Sequence, residues 1–336
     1  MNRNLRAAII GSGMIAGTHL TAMRNAGIDV VGVYSLDAES ASCFSSQYGI
    51  RRYDSMEALL ADDTDIAAVC TPSGTHAALA VDLMEHQKYA VVEKPVVLTE
   101  ADGKTILEAE RKTGKFCAPI SQFRFSDAYR SIKAALADGA FGTLLLGSLS
   151  MKYYRSPEYF AGSWRGTKAM DGGGALMNQG IHGVDMLCGL LGYPERISGV
   201  VATRHHAIEV EDTAAGSMVF PGGALGVLDA GTAVRYAKPR RLEICGTRGS
   251  ITLEEDTIVS AEGIGLQCGA ASGIRSWDVP SAIHADLHTA QYRNIRDAIL
   301  GVDTLEYTAR DAVSTVRVIL GIYRSSETGE TVFFDF

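Results

Sequence analysis

The stretch from Arg6 to Asn25 constrains the fold most. Arg6–Ile10 is an apolar run of strand-forming character, Gly11-Ser12-Gly13-Met14-Ile15-Ala16 follows at once, and a helical pattern runs from about Met14 to Asn25. In a G-x-G-x-x-A turn the first glycine permits the tight bend. The second lets the backbone approach a ligand, and the small third residue lets helix and strand pack closely. The free N–H groups and dipole at the helix start then favour a phosphate. The turn therefore predicts a dinucleotide seat around Gly11, Ser12, Gly13, Met14 and Ile15. A doubly wound fold whose glycine-rich turn binds a different ligand is the alternative.

The rest of the chain tells whether that turn stands in the right context. Strand and helix patterns alternate through the first 120 residues: Asp29–Tyr34, Ala38–Tyr48, Ser55–Leu60, Ile66–Cys70, Gly74–His86, Ala90–Glu93, Thr99–Thr113 and Lys115–Ala118. Such alternation predicts βαβ units and a parallel sheet. After about Ser121 and one helix over Asp127–Ala137, β patterns dominate: Leu144–Tyr154, Ile197–Thr203, Thr213–Phe220, Ala224–Thr232, Arg241–Cys245 and Ser250–Leu253. Two helical patterns, His284–Leu300 and Thr308–Ser325, close the chain. The expectation is an α/β protein in two domains. Residues 1–121 form a doubly wound parallel sheet, and residues 122–336 form an α+β domain with an open, mostly antiparallel sheet.

Composition narrows the class. The 336 residues are 46% hydrophobic with a net charge of −8, enough for two cores and the wrong sign for a nucleic-acid surface. The six cysteines form no C-x-x-C pair, and most sit in apolar runs and so read as core thiols in a reducing compartment, with no zinc ligand set. No secretory signal pattern precedes the first strand, and no apolar run approaches the length of a membrane span. A cytoplasmic protein with a small-molecule ligand is expected.

Three places carry candidate chemistry. At the end of the second strand, where an acid often bonds the ribose 2′-hydroxyl in NAD enzymes, this chain has Ser35. Asp37 follows two residues later, where it can equally cap a helix, and Arg51 and Arg52 come after. NAD and NADP are equally open. Lys94 directly follows an apolar strand and precedes Pro95, which restricts it to extended geometry. It is either an ammonium aimed at a substrate oxygen or a surface lysine paired with Glu93. The segment Gly172-Gly173-Gly174 leads into a helical pattern holding Asn178, His182 and Asp185, spaced to share one face. Asp185 is the only charged residue between Asp171 and Glu195, so this helix should be buried. His182 is then a candidate general acid/base or a hydrogen-bonded core histidine. His19 reads as a packing residue.

Taken in order, Gly11-x-Gly13-x-x-Ala16, Thr71-Pro72 with His76, Glu93-Lys94-Pro95, Trp164-Arg165 and the glycine run leading to His182-x-x-Asp185 resemble the Gfo/Idh/MocA family of sugar and inositol oxidoreductases. The resemblance covers nearly the whole chain. It implies an NAD(P)-dependent dehydrogenase or reductase of a sugar, polyol or sugar derivative, with the active site between the domains. Lys94 would bond the reacting hydroxyl and His182 would be the general base or acid. Glu93, Lys94 and Pro95 would lie by the nicotinamide ribose, Thr71, Pro72 and His76 along the cofactor, and Trp164 and Arg165 near cofactor or substrate. Asn178, Asp185, Arg124 and Tyr153 are candidate substrate contacts, with Tyr236 and His284. No metal is implied, and a homodimer or homotetramer is expected through the exposed face of the second sheet. Many members carry Asp where this chain has Asn178, and an amide bonds a hydroxyl without exchanging a proton. Two further activities remain open: redox-assisted glycoside cleavage with tightly bound NAD, and dinucleotide sensing without catalysis.

Overall fold

A computed structural model describes residues 4–270 and 285–336. The chain forms two compact units. The first holds the described residues through Gln122 together with the stretch from Ala285 to Val313, and the second holds the remainder. A single cut at 121/122 therefore does not describe the division, because a late helix belongs with the N-terminal residues.

In the first unit, strands β1 (Arg6–Ile10), β2 (Asp29–Tyr34), β3 (Arg51–Arg52), β4 (Ile66–Val69), β5 (Tyr89–Val92) and β6 (Cys117–Pro119) form one sheet in the order β3-β2-β1-β4-β5-β6. Every pairing is parallel. The order reverses between β1 and β4, and in such sheets ligands sit beyond the carboxyl ends of the strands at that point. The helices are α1 (Met14–Asn25), α2 (Ala38–Tyr48), α3 (Met56–Leu60), α4 (His76–Glu85) and α5 (Glu100–Thr113). Their starts follow from local chemistry. Asp37, Ser55 and Thr99 each cap a helix through a side-chain oxygen, and Gly49 and Gly114 end α2 and α5 in the left-handed region.

The second unit holds α6 (Asp127–Ala137), α7 (Pro157–Phe160), α8 (Ile181–Leu191) and an eight-stranded sheet. Its strands are β7 (Leu144–Lys152), β8 (Arg196–Ala202), β9 (Thr213–Val219), β10 (Leu225–Gly231), β11 (Arg241–Gly246), β12 (Ser250–Glu254), β13 (Thr257–Glu262) and β14 (Val332–Phe333), in the order β13-β12-β11-β7-β10-β9-β8-β14. All pairings are antiparallel except β10 with β7. The sequence signals no strand at β3, β13 or β14. Two of these have only two residues, and β13, at the sheet's end, buries only Ile258.

Helix α9 (Ala285–Ile299) packs into the first unit, with Tyr292 and Ile295 completely buried in its core. Each such side chain is worth ~1.5–3 kcal/mol of burial. This explains why the helix returns to a unit whose sheet ended at β6. Helix α10 (Ala309–Thr328) follows. Among the described residues no helix is long and apolar enough to cross a membrane. All six cysteines are free. Cys70, Cys117 and Cys188 are the core thiols expected from sequence, but Cys43 and Cys268 are exposed.

Candidate active site

The glycine-rich turn has the geometry of an anion seat. Gly11 has φ +96°, and a Cβ there would lie 2.6 Å from the Cys70 carbonyl oxygen, so only glycine fits. Its N–H bonds the Tyr34 carbonyl at 2.7 Å, tying the turn to the end of β2. Gly13 has open space where a side chain would stand. Helix α1 has no side-chain cap and no acid in its first turn, so its leading N–H groups are left for a ligand. The turn therefore fits the pyrophosphate of a dinucleotide.

Beyond β2, Ser35 is half-buried. Asp37 accepts from the N–H groups of Glu39 and Ser40 through one carboxylate oxygen, so it is the cap of α2. Arg51 is committed to Asp62 and to the Tyr53 hydroxyl, and lies 4.2 Å from the Tyr53 ring centre. Arg52 pairs with Asp54.

His76 is buried, with Nδ1 2.7 Å from the Pro95 carbonyl oxygen and Nε2 2.8 Å from that of Thr71. It ties the loop after β4 to the loop after β5, so its ring nitrogens are spent on protein backbone. The Lys94–Pro95 peptide is cis. Lys94 is half-buried, but Glu93 turns inward. One Glu93 oxygen lies 2.9 Å from His19 Nε2, and the other accepts the Lys94 N–H at 3.1 Å. Burial raises the Glu93 carboxyl pKa, but the hydrogen bond from His19 and the neighbouring His288 ring outweigh it and hold the group well below its usual range. Both carboxylate oxygens of Glu93 thus have partners within the unit. His19, His288 and Tyr292 join it there, and no sequence spacing shows this, because the four lie on β5's end, α1 and α9.

In the second unit the glycine run opens a wide π-helical turn, Ala175–Gly180, before α8 starts at Ile181. Gly174 packs against the Glu211 carbonyl so closely that no Cβ can be accommodated. Glu211 seats the turn: its carboxylate accepts from the N–H groups of Gly174 and Leu176 and from the Tyr323 hydroxyl. Burial raises its pKa.

Asn178 lies in the π turn, and His182 and Asp185 lie on α8 after it. Asn178 donates to Asp171 at 2.6 Å and accepts from Gln179 at 2.9 Å. Asp185 takes a two-point ion pair from Arg124 at 2.7 and 2.8 Å and a hydrogen bond from Thr315. The half-buried His182 ring packs edge-on against Phe123, with centroids 5.2 Å apart. Phe123 is backed by the Arg240 guanidinium at 4.0 Å. Arg124, Asp185 and Asn178 thus each have hydrogen-bond partners within the second unit. Tyr153 is buried, which pushes its hydroxyl pKa up, and Tyr236 is exposed. Trp164 and Arg165 lie in the loop after α7, where Arg165 stands 5.1 Å from the Trp164 ring and 4.8 Å from Tyr159. His284 lies outside the described residues.

Comparison with known proteins decides the family. Residues 5–120 match the family model described as an oxidoreductase family with an NAD-binding Rossmann fold, and residues 129–252 match the GFO/IDH/MocA C-terminal domain. The chain belongs to the Gfo/Idh/MocA oxidoreductases. D-apiose dehydrogenase of Paraburkholderia graminis is 27% identical over 98% of this chain and 90% of its own length. 1,5-Anhydro-D-fructose reductase of Ensifer adhaerens is 24% identical over 97% of both. The WlbA dehydrogenase of Chromobacterium violaceum, solved with NADH and UDP-GlcNAcA, is 27% identical, with a TM-score of 0.89 over 100% of this chain and 97% of that one. As a Gfo/Idh/MocA oxidoreductase the chain binds NAD through the first unit. The turn at Gly11–Ala16 lies within that match.

Proposed function

We propose that this oxidoreductase moves a hydride between NAD and a hydroxyl-bearing or keto carbon of a sugar, polyol or sugar derivative. Lys94 and His182 are its proton-handling groups. The observation that carries the reading is the match of both family domains, one bringing Lys94 at the end of β5 and the other His182 on α8. The nicotinamide, when bound, supplies the hydride acceptor or donor. The remaining work falls to the chain. A carbinol carbon gives up hydride only as its hydroxyl loses a proton. The Lys94 ammonium bonds that oxygen, and the His182 imidazole takes the proton, or returns it in the reverse direction. Phe123 and Arg240 hold His182 from behind. The first unit holds the dinucleotide and the second supplies substrate contacts and self-association. The six free thiols suit a reducing, cytoplasmic setting.

NAD is favoured over NADP. A 2′-phosphate beyond β2 meets Asp37 and Glu39, while Arg51 and Arg52 are already paired. The test is absorbance of reduced nicotinamide with NAD or NADP and a panel containing D-apiose, myo-inositol, UDP-GlcNAcA and simple polyols. NAD-dependent reduction with at least one member is expected, and Lys94→Met or His182→Ala should lower kcat roughly 10²–10⁴-fold. Full turnover in either variant removes its assigned role. Release of sugar from a glycoside without net reduction overturns simple dehydrogenation.

A further inference from the structure

No step above uses the histidines behind Glu93. His19 lies on α1, the helix that begins at the glycine-rich turn. His288 and Tyr292 lie one turn apart on α9. The three side chains are 0%, 1% and 0% exposed. His19 Nε2 is 2.9 Å and His288 Nε2 3.9 Å from the same Glu93 oxygen, while the other oxygen accepts the Lys94 N–H. On its far side, His19 Nδ1 lies 2.6 Å from the Tyr292 hydroxyl.

These contacts determine where the protons sit. An ionised carboxylate only accepts, so His19 Nε2 must carry hydrogen. Burial lowers the His19 pKa and keeps the ring neutral, so Nδ1 is an acceptor and the Tyr292 hydroxyl is its donor. Burial likewise pushes the Tyr292 pKa well up, which keeps that hydrogen in place. The result is one directed chain, Tyr292 to His19 to Glu93, whose terminal carboxylate also accepts the main-chain N–H of Lys94. The nitrogens of both histidines and the Glu93 oxygen lie within 4.8 Å of one another, close enough for a metal ion as well. At 2.9 Å, however, the His19–Glu93 pair is an ordinary hydrogen bond, and Tyr292 completes it without an ion.

We propose that His19 and Tyr292 are positioning residues for hydride transfer: through the Glu93 carboxylate they fix the backbone at Lys94, and with it the origin from which the ammonium reaches the reacting oxygen. The proposal rests on the role given to Lys94 above. A lysine side chain is long and flexible, so a shift at its root is carried to its tip. A misplacement of about 1 Å at a reacting centre costs on the order of 100-fold.

The test uses the full chain with NAD and whichever panel substrate turns over fastest. Tyr292→Phe removes one oxygen and leaves the ring. Glu93→Gln keeps the shape and removes the charge. Glu93→Gln should lower kcat roughly 100-fold and Tyr292→Phe roughly 5–20-fold, each with KM for NAD within about threefold of wild type and a displaced pH profile of kcat. Nitrogen-15 NMR of the wild type should show His19, identified by its loss in His19→Asn, as the neutral Nε2–H form. Ile295→Val, a methyl deletion in the same buried face of α9, should lower Tm without changing the pH profile. Variants that fold, bind NAD and keep kcat within about twofold with an unshifted profile overturn the proposal. So does an Nδ1–H tautomer, or a stoichiometric metal in the purified protein. If Glu93→Gln does not fold, the Tyr292→Phe kinetics and the tautomer decide. Full activity in Lys94→Met overturns the lysine role itself, whereas an inactive Lys94→Met beside a fully active Glu93→Gln overturns only the positioning chain.

Discussion

Asp185 sits in a buried ion pair. Its carboxylate is 3% exposed and its partner, the Arg124 side chain, 11%. The guanidinium makes two parallel contacts, and Thr315 takes up another lone pair. Removing one partner of such a pair leaves a buried charge uncompensated, which costs about 3–5 kcal/mol. Asp185→Ala should therefore lower the unfolding free energy by about that amount in urea titrations. Asp185→Asn should lose less, because the amide still accepts. A loss of activity without loss of stability would instead make Asp185 a substrate contact. The sequence shows Asp185 as the lone charge in an apolar stretch, and hence as special, but Arg124 stands 61 residues away.

Helix α1 carries two tasks. Its N-terminus is open to an anion, and its buried face carries His19 into the Glu93 network. The second task makes the element sensitive to acid. The folded pKa of His19 lies below its ordinary value, so at mildly acidic pH the unfolded chain binds a proton that the folded one refuses. Stability from this group is full above the ordinary histidine pKa and is lost as pH falls through it. Glu93 adds a second loss further down, because its depressed carboxyl contributes stability that disappears as pH falls below the ordinary glutamate range. The urea midpoint should fall between about pH 7 and 5 and fall again below about 4.5. A midpoint flat across the first interval would mean that the folded and unfolded chains take up the His19 proton alike.

At the scale of the molecule, one face of the eight-stranded sheet stands out. Leu146, Leu225, Val227 and Val200 are all exposed. Leu225 stands beside Leu146, with Val227 two residues on along the same strand and therefore on the same face. Val200 pairs with the exposed Ala215 on the adjoining strands. We propose that this face joins copies of the chain, since an apolar patch of this kind marks an interaction surface. Sedimentation velocity should show a dimer or tetramer, and Val227→Lys with Leu225→Lys should shift it towards monomer. A wild-type monomer at micromolar concentration would remove the proposal.

The sequence by itself determined the alternating βα architecture and most element boundaries of the first unit. It also determined the glycine-rich turn, and Lys94 and His182 as the residues to test. The elements and the turn depend on interactions within about four residues, namely hydrophobic period, caps, and glycine where φ is positive, whereas Lys94 and His182 are marked out by the family resemblance of their motifs. Tertiary structure alone decided the rest. It returned α9 to the first unit, where His288 and Tyr292 meet Glu93 and His19. It turned Glu93 inward, set His76 between two carbonyls, opened a π turn at Ala175–Gly180, and gave Asn178 and Asp185 different partners. Partners brought together from distant parts of a chain leave no local period, because burial and hydrogen-bond satisfaction select them only after the elements have packed.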